Sequence, residues 1–268
     1  MDDQLNFMYN RGIIDFNDSI SEIISCVKKL LSTMGRAQSS SMNRQALLLR
    51  GDSGTGKSAM ASYIANEVAK WPFIRVVSAD NYVGAADITV CSAINKIFTD
   101  AYKSKQSIII LDDVERLIGY TMGPRFSNPV LQAILTCIRR YNTTDPERKV
   151  FIIATCTQQV SRELDLDKKF DFVRNMPVIR TAKEFETVLK ESEHDKMCTP
   201  NAAEIVKAFP SSKSKRGGVG ISDLLTVLEL AVDDEQRISV DSFTTAWRSK
   251  FITYGAYDDD LDLDTGFE

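Results

Sequence analysis

Histidine and paired cysteines, which form most metal and catalytic-triad sites, are scarce in this sequence. Its 268 residues include one histidine, His194, in a charged stretch, and five cysteines with no Cys-x-x-Cys pair. An odd number of scattered cysteines predicts reduced thiols in the core, not a disulfide framework or a zinc site. We expect the lone histidine to be a solvated surface side chain. The composition therefore argues against histidine-based metal or triad chemistry.

The sequence also lacks a membrane span, a secretory signal and an excess of basic residues. No apolar run approaches the roughly 20 residues that cross a bilayer. The first residues are acidic, whereas a secretory signal begins with a basic and then an apolar region. Thirty-three basic and 37 acidic residues give a net charge of −4, which offers no bulk attraction to nucleic acid. We expect a cytoplasmic protein that binds no nucleic acid.

Hydrophobic residues make up 43% of the chain, enough for a packed core, and their spacing changes near residue 180. Before that point, wholly apolar segments alternate with segments of helical periodicity, which predicts a parallel sheet covered by helices on both faces. Beyond it only helical periodicity appears. We predict an α/β core over residues 1–180, a small helical subdomain over 181–257 and an acidic, disordered tail over 258–268. The predicted strands are residues 45–50, 73–77, 107–111 and 150–155, with a weaker fifth at 175–179.

A phosphate-binding loop follows the first predicted strand. Residues 51–58 fit the pattern G-x-x-x-x-G-K-[ST] and lie between a predicted strand and a predicted helix. The glycines let backbone N–H groups point at phosphate oxygens, Lys57 reaches the β- and γ-phosphates, and the Ser58 hydroxyl binds Mg²⁺. A glycine-rich turn with a chance lysine is the alternative, which the flanking elements disfavour. The predicted nucleotide-binding residues here are Asp52, Ser53, Gly54, Thr55, Gly56, Lys57, Ser58 and Ala59.

Two carboxylates follow the third predicted strand. Asp112 is the expected Mg²⁺-side carboxylate, acting directly or through a water, because ligands of open α/β sheets bind where the strands end. Asp113 lies where many ATPases of this architecture carry a glutamate that orients or deprotonates the attacking water. Aspartate is one methylene shorter, and general-base catalysis depends on hydrogen-bond reach, so we predict tight ATP binding with slow hydrolysis. Alternatively, Asp113 caps the helix that follows.

The motifs together resemble the AAA-type ATPases, and more closely the second ATPase domain of the vesicle-fusing (N-ethylmaleimide-sensitive factor) family. The phosphate loop alone specifies only a nucleoside triphosphatase. The closer resemblance rests on four further segments and extends to about residue 250. These segments are Arg11-Gly12-Ile13-Ile14, Ala101-Tyr102-Lys103-Ser104, Gly123-Pro124-Arg125-Phe126-Ser127-Asn128 and Val130-Leu131-Gln132-Ala133.

This resemblance implies a P-loop fold that binds ATP with Mg²⁺, with Gly12, Ile13 and Ile14 packed around the adenine. It implies a homohexameric ring within the machine that disassembles SNARE complexes in vesicular transport, including transport between endoplasmic reticulum and Golgi. In that family the second domain mainly holds the hexamer together. We expect this chain to be a fragment of a longer protein that meets the SNARE complex, its adaptor and, indirectly, membranes through other domains.

Further site residues also come from the resemblance. Thr157 falls where the family's first sensor contacts the γ-phosphate or the attacking water, although it could simply close a strand. Tyr82, Val83 and Gly84 fall at the pore loop that grips a threaded polypeptide, although Tyr82 could instead pack within its loop.

The sequence departs from the family at two places that concern the γ-phosphate. Lys215 and Arg216 are the candidate γ-phosphate contacts, since Ser222 and Asp223 replace the lysines that the family usually carries after the neighbouring glycine. The stretch 164–170, which would supply an arginine to the neighbouring subunit, has lysines and no arginine. These departures put γ-phosphate sensing in doubt but leave nucleotide binding intact.

Two functions fit these motifs. One is a nucleotide-dependent assembly domain, stabilised because ATP binds the folded, assembled state. The other is a competent motor that hydrolyses ATP and threads protein past Tyr82. A DNA-associated clamp-loader or initiator ATPase fits poorly, because the chain is acidic and lacks a basic, aromatic-rich module.

Overall fold

The computed structural model describes residues 12–36, 43–121, 125–140, 145, 147–198, 202–209, 218–233 and 235–252. These residues fall into two compact units that divide between Pro177 and Val178. The predictions made for Arg11, for Gly123 and Pro124, for Lys215 and Arg216, and for the tail 258–268 lie outside the described residues. Within the described part of the chain, no helix is both long and apolar enough to cross a membrane.

The first unit contains a five-stranded parallel sheet, so the predicted α/β architecture is confirmed. Its strands are β1 Arg44–Arg50, β2 Phe73–Val77, β3 Gln106–Leu111, β4 Lys149–Cys156 and β5 Phe172–Asn175. Their order across the sheet is β2-β3-β4-β1-β5, and all neighbouring pairs are parallel. The three central strands are buried along almost their whole length, which explains their uninterrupted apolar sequences.

The fifth strand is the one that the sequence misplaced. It was predicted at residues 175–179 but occupies Phe172–Asn175, beside β1. Proline has no N–H to donate to a strand ladder, and Pro177 follows this strand by two residues. Beyond it, Ile179 pairs with Val219 within the second unit. The apolar residues that indicated a strand therefore belong partly to another structural unit.

Helices cover both faces of the sheet. Successive residues of β1 alternate between two apolar clusters, with Ala46 and Leu48 in one and Leu47 and Leu49 in the other. The helices of this unit are α1 Ser19–Arg36, α2 Lys57–Tyr63, α3 Asp87–Ala101, α4 Val114–Leu117, α5 Asn128–Arg139 and α6 Gln158–Glu163. Helices α1 and α2 pack on the face of Leu47, and α3 and α5 pack on the face of Ala46. Because all strands are parallel, the segments that follow β1, β3 and β4 meet at one edge of the sheet.

The second unit is helical. Its helices are α7 Ala182–Glu191, α8 Ala202–Lys207, α9 Ile221–Leu230 and α10 Val240–Ile252. Its core is aromatic, with the rings of Phe185 and Phe243 stacked at 5.5 Å and the ring of Trp247 at 5.4 Å from that of Phe209. His194 also belongs to this unit. The expectation that His194 is a solvated surface side chain is wrong for its Nδ1 atom, which is shielded from solvent in a half-buried side chain.

Candidate functional site

The loop between β1 and α2 curls in a way that requires glycine. Gly54 and Gly56 have φ angles of 74° and 82°, in the left-handed region that glycine adopts without strain. A Cβ atom on Gly51 would lie 2.9 Å from the Thr55 hydroxyl oxygen and 3.1 Å from Cβ of Met176. Gly51 therefore has no room for a side chain, and Gly54 and Gly56 have backbone angles that other residues adopt only with strain.

The curl brings the ammonium group of Lys57 under the backbone of its own loop. Lys57 Nζ donates to the carbonyl oxygens of Gly51 at 3.2 Å and Asp52 at 3.0 Å, and the side chain is 8% exposed. Thr55 Oγ1 also donates to the Asp52 carbonyl, at 2.8 Å. The loop thus holds a buried positive charge at the start of α2, where the helix dipole also favours an anion.

A hydroxyl group and a carboxylate meet beside this loop. Ser58, in the first turn of α2, donates its hydroxyl to Oδ1 of Asp112 at 2.7 Å. Asp112 directly follows β3, and its N–H donates to the carbonyl of Val77 at the end of β2. Hydroxyl and carboxylate oxygens are ligands that Mg²⁺ accepts, usually together with water and substrate phosphates. The two residues predicted to hold the metal are therefore brought together, with the right kind of donor atom.

Thr155 is a site residue that sequence reasoning missed. It is fully buried near the end of β4, where its hydroxyl donates to Oδ1 of Asp112 at 2.9 Å and accepts the N–H of Asp113 at 2.8 Å. One hydroxyl group therefore positions both acidic residues. A signal was present, because a hydroxyl residue near the end of an otherwise apolar strand must find a polar partner when buried.

Asp113 begins α4 in a left-handed conformation, with φ 49° and ψ 68°. Its carbonyl oxygen accepts the N–H of Arg116, but its carboxylate makes no capping hydrogen bond to the helix. Burial, and then the neighbouring Asp112 carboxylate, raise the pKa of Asp113. The side chain is therefore not engaged in capping, so the helix-cap alternative accounts for its backbone only.

Glu115 links α4 to the end of β4, and it too was missed from the sequence. Its Oε1 atom accepts the N–H of Thr157 at 2.9 Å. Burial, and then the carboxylate of Asp113, raise the pKa of Glu115. Between Thr155 and Thr157 lies Cys156, and burial raises the pKa of its thiol to about 12, so this thiol stays neutral at ordinary pH.

Comparison with known proteins identifies the family of this site. Residues 47–178 match the family model described as the ATPase family associated with various cellular activities (AAA). That range begins within β1 and includes the phosphate loop, both aspartates, Thr155 and Glu115. The chain contains an AAA domain. The resemblance to the AAA-type ATPases is thereby confirmed.

Relatives of this chain include vesicle-fusion proteins. A vesicle-fusing ATPase of Dictyostelium discoideum is 30% identical over 244 residues, which are 90% of this chain and 31% of that protein. A vesicle-fusing ATPase of Caenorhabditis elegans is 31% identical over 234 residues, 86% of this chain and 28% of that protein. The vesicular-fusion protein SEC18 of Saccharomyces cerevisiae is 30% identical over 195 residues, 72% of this chain and 25% of that protein. The chain thus spans less than a third of the length of these curated relatives.

The predicted adenine segment and pore loop lie in the same unit as the AAA phosphate loop. Gly12 is exposed with φ 74°, whereas Ile13 and Ile14 are half-buried, and Ile13 packs against the apolar cluster of α1 and α2. The ring of Tyr82 packs against the cluster on the opposite face of the sheet, and burial raises the pKa of its hydroxyl. Its neighbour Val83 is 84% exposed. In this loop the valine, not the tyrosine, presents an apolar side chain to solvent.

The structure also describes the end of the predicted pore loop and the stretch predicted to face a neighbouring subunit. Gly84 has φ 77°, so the chain turns sharply after Val83. In the stretch predicted to face a neighbouring subunit, Lys168 donates to Asp165 at 2.8 Å, an exposed pair within the stretch itself. Contacts of Tyr82, Val83 and Gly84 with a substrate remain predictions.

Proposed function

We propose that this chain is the ATP-binding domain of a vesicle-fusing ATPase, and that it binds Mg·ATP to drive hexamer assembly while hydrolysing it slowly. The observation that carries the proposal is the contact of Ser58 with Asp112 beside a glycine-dependent loop holding Lys57. This contact lies within an AAA domain whose relatives are vesicle-fusing ATPases. The loop, Lys57 and Ser58 follow β1 and Asp112 follows β3, so the groups required for a magnesium-bound triphosphate meet at one edge of the sheet.

The residues present fit ATP and Mg²⁺. The ammonium group of Lys57 would neutralise the β- and γ-phosphates, and the loop N–H groups would bind the phosphate oxygens. Ser58 and Asp112 would hold Mg²⁺, which supplies positive charge where negative charge develops during phosphoryl transfer. The segment 12–14 would lie against the adenine.

Two substitutions in the site support slow hydrolysis: Asp113 replaces a glutamate, and the stretch 164–170 has lysines where an arginine is expected. The carboxylate of Asp113 is one methylene shorter than a glutamate, so it reaches less far toward an attacking water. The stretch 164–170 supplies lysine, which lacks the planar fork of arginine, and arginine fingers contribute roughly 10³- to 10⁵-fold in rate. A site that binds tightly and turns over slowly suits an assembly role.

The proposed place of this domain in a larger protein rests on the motif resemblance and on the names of the relatives. We infer that it corresponds to the second ATPase domain of a cytoplasmic vesicle-fusing ATPase in vesicular transport. Within a homohexamer it would act on SNARE complexes through an adaptor that binds other domains. The packing of Tyr82 against the core supports assembly over the motor alternative, because a threading loop needs its aromatic ring in solution.

The assembly role is tested by light scattering after size exclusion, with Mg·ATP, with Mg·ADP and without nucleotide. With Mg·ATP we expect a particle of about six times the 30.0 kDa chain mass, because nucleotide bound only to the assembled state shifts the equilibrium toward it. Nucleotide released by denaturing the purified protein should be ATP. A chain that is monomeric under all three conditions would contradict the proposal.

The motor alternative is separated from assembly by Tyr82→Ala and Asp113→Asn. Both variants should assemble with Mg·ATP like the wild type if the domain is mainly an assembly module. For a motor, turnover and remodelling would collapse in both.

Removing the hydroxyl of Thr155 should weaken magnesium-dependent ATP binding. In Thr155→Val the shape is kept, but Asp112 and Asp113 lose a shared partner, and hydrogen bonds to charged groups are worth roughly 1.5–3 kcal/mol. We expect the gain in ATP affinity on adding Mg²⁺, measured by calorimetry against an EDTA control, to fall about tenfold. Thr155→Ser keeps the hydroxyl and should bind like the wild type. Equal affinities in all three proteins would show that Thr155 does not position the metal site.

A further inference from the structure

The two oxygen atoms of the Glu115 carboxylate have different surroundings. Its Oε1 atom accepts the N–H of Thr157, whereas its Oε2 atom is buried and has no hydrogen-bond partner among the described residues. A buried polar atom without a partner costs roughly 1–3 kcal/mol, and more when the group is charged. The hydrogen bond to Thr157 is therefore the contact by which this side chain acts on another segment.

The charged and titratable groups around Glu115 belong to the candidate nucleotide site. Burial has the largest effect on the pKa of Glu115 and raises it, and the carboxylate of Asp113, at the start of the same helix, raises it further. The backbone N–H groups of Glu115 itself and of Thr157, and the charge of Lys57 in the phosphate loop, lower it. Glu115 in turn raises the pKa of Cys156 on β4. The charges of both Asp113 and Lys57 therefore act on this carboxylate. Its surroundings destabilise it, which is typical of residues placed for function and not for stability.

The hydrogen bond of Glu115 is the second of two links between the ends of β3 and β4. The first is the hydroxyl of Thr155, which bonds to Asp112 and Asp113. The second lies two residues further along β4, where Thr157 leaves the strand and begins α6. Charge-assisted hydrogen bonds of this kind are short and directional. The hydrogen bond of Glu115 is therefore the direct side-chain contact that holds Thr157 to the helix that Asp113 begins.

We propose that Glu115 is a positioning residue that sets the preference of the site for ATP over ADP, by holding Thr157 where a γ-phosphate would lie. This inference rests on the proposed function, since it assumes that the phosphate loop binds Mg·ATP. Binding of the α- and β-phosphates depends on the loop and on Lys57, neither of which hydrogen-bonds to Glu115. Substituting Glu115 should therefore lower the affinity for the triphosphate and leave the affinity for the diphosphate unchanged.

The test compares the affinities of Mg·ADP and the slowly hydrolysed analogue Mg·ATPγS by calorimetry. In Glu115→Ala the preference for ATPγS over ADP should fall about tenfold, and ADP affinity should stay within about twofold of the wild type. Glu115→Gln, whose amide oxygen accepts the same N–H, should restore the preference to within about threefold. Glu115→Asp keeps the charge, but its side chain is too short to reach the N–H of Thr157, so it should lose the preference like the alanine variant. This variant replaces Glu115→Ala in the test if the alanine variant does not fold.

Several outcomes would overturn this inference. One is a preference for ATPγS over ADP that is unchanged in both Glu115→Ala and Glu115→Asp, and another is a Glu115→Gln variant that does not restore this preference. The inference also fails if Glu115→Ala loses as much affinity for ADP as for ATPγS, or if the wild type does not discriminate between the two nucleotides. Failure of the proposed function looks different, because the wild type would then bind neither nucleotide. Binding by the wild type that Lys57→Met abolishes, together with an unchanged preference in Glu115→Ala, would reject the role of Glu115 alone.

Discussion

Replacing Lys57 by methionine should weaken Mg·ATP binding at least about 100-fold. The ammonium group is buried beneath the loop carbonyls of Gly51 and Asp52, where a charge interacts more strongly with phosphate than it would in water. Loss of a charge-assisted hydrogen bond of about 3 kcal/mol corresponds to that factor. Methionine keeps the apolar stem that packs in the buried position, so the fold should survive. Calorimetric titration with Mg·ATP measures the affinity, and circular dichroism checks the fold.

The matched control for this experiment is Lys103→Met. Lys103 lies in the same unit, with an exposed side chain paired with Asp100, in the segment that leads into the opposite end of β3. Its loss removes the same charge from the protein as a whole, so an effect of net charge would appear in both variants. We expect wild-type affinity for Lys103→Met. An unchanged affinity for Lys57→Met would reject the phosphate-binding assignment of the loop.

The sequence was sufficient for the sheet because its central strands are buried on both faces. A run such as Ile108-Ile109-Ile110 has no polar face to keep in water, so its burial follows from composition. The edge strand was harder, because β5 is four residues long, only half-buried and includes Arg174 and Asn175. Its position depends on pairing with β1, and no local periodicity records that pairing.

The same distinction applies to the site. The phosphate loop and Asp112 were predictable because their chemistry depends on residue types at fixed spacing within one segment. The partners of Thr155 and Glu115 were not predictable, because they lie more than 40 residues away and are set by the register of β3 against β4. The position of Thr155 near the end of an apolar strand indicated that it needs a polar partner, but not which one, and Glu115 gave no such signal. Tyr82 shows the reverse case, in which the residue type points to a pore loop while the ring packs on the core.

A partly buried ion pair links the start of β1 to the residue before β5, at the end of β1 that lies far from the phosphate loop. Arg44 Nη1 donates to Oδ2 of Asp171 at 2.7 Å, and the same oxygen accepts the N–H of Ala46 at 2.8 Å. The Arg44 side chain is 4% exposed, whereas that of Asp171 is 32% exposed. Asp171 directly precedes β5, and its own N–H donates to the Ala46 carbonyl at 3.1 Å. This pair therefore fixes the start of the edge strand whose position the sequence did not reveal.

Replacing Asp171 by alanine should lower the free energy of unfolding of the first unit by about 3 kcal/mol, because a buried guanidinium group loses its carboxylate partner. Asp171→Asn keeps an acceptor for the Ala46 N–H and should lose less stability.

Urea unfolding followed by the fluorescence of Trp71, in a Trp247→Phe background, reports this unit alone, since Trp247 lies in the second unit. The control Glu67→Ala breaks an exposed pair with Lys70 and should cost under about 0.5 kcal/mol. If Asp171→Ala costs no more than this control, the ion pair does not stabilise β5. Because the pair lies at the end of β1 opposite the phosphate loop, Mg·ATP affinity should be unchanged wherever the variant is folded, which separates the stability of the sheet from the chemistry at its other edge.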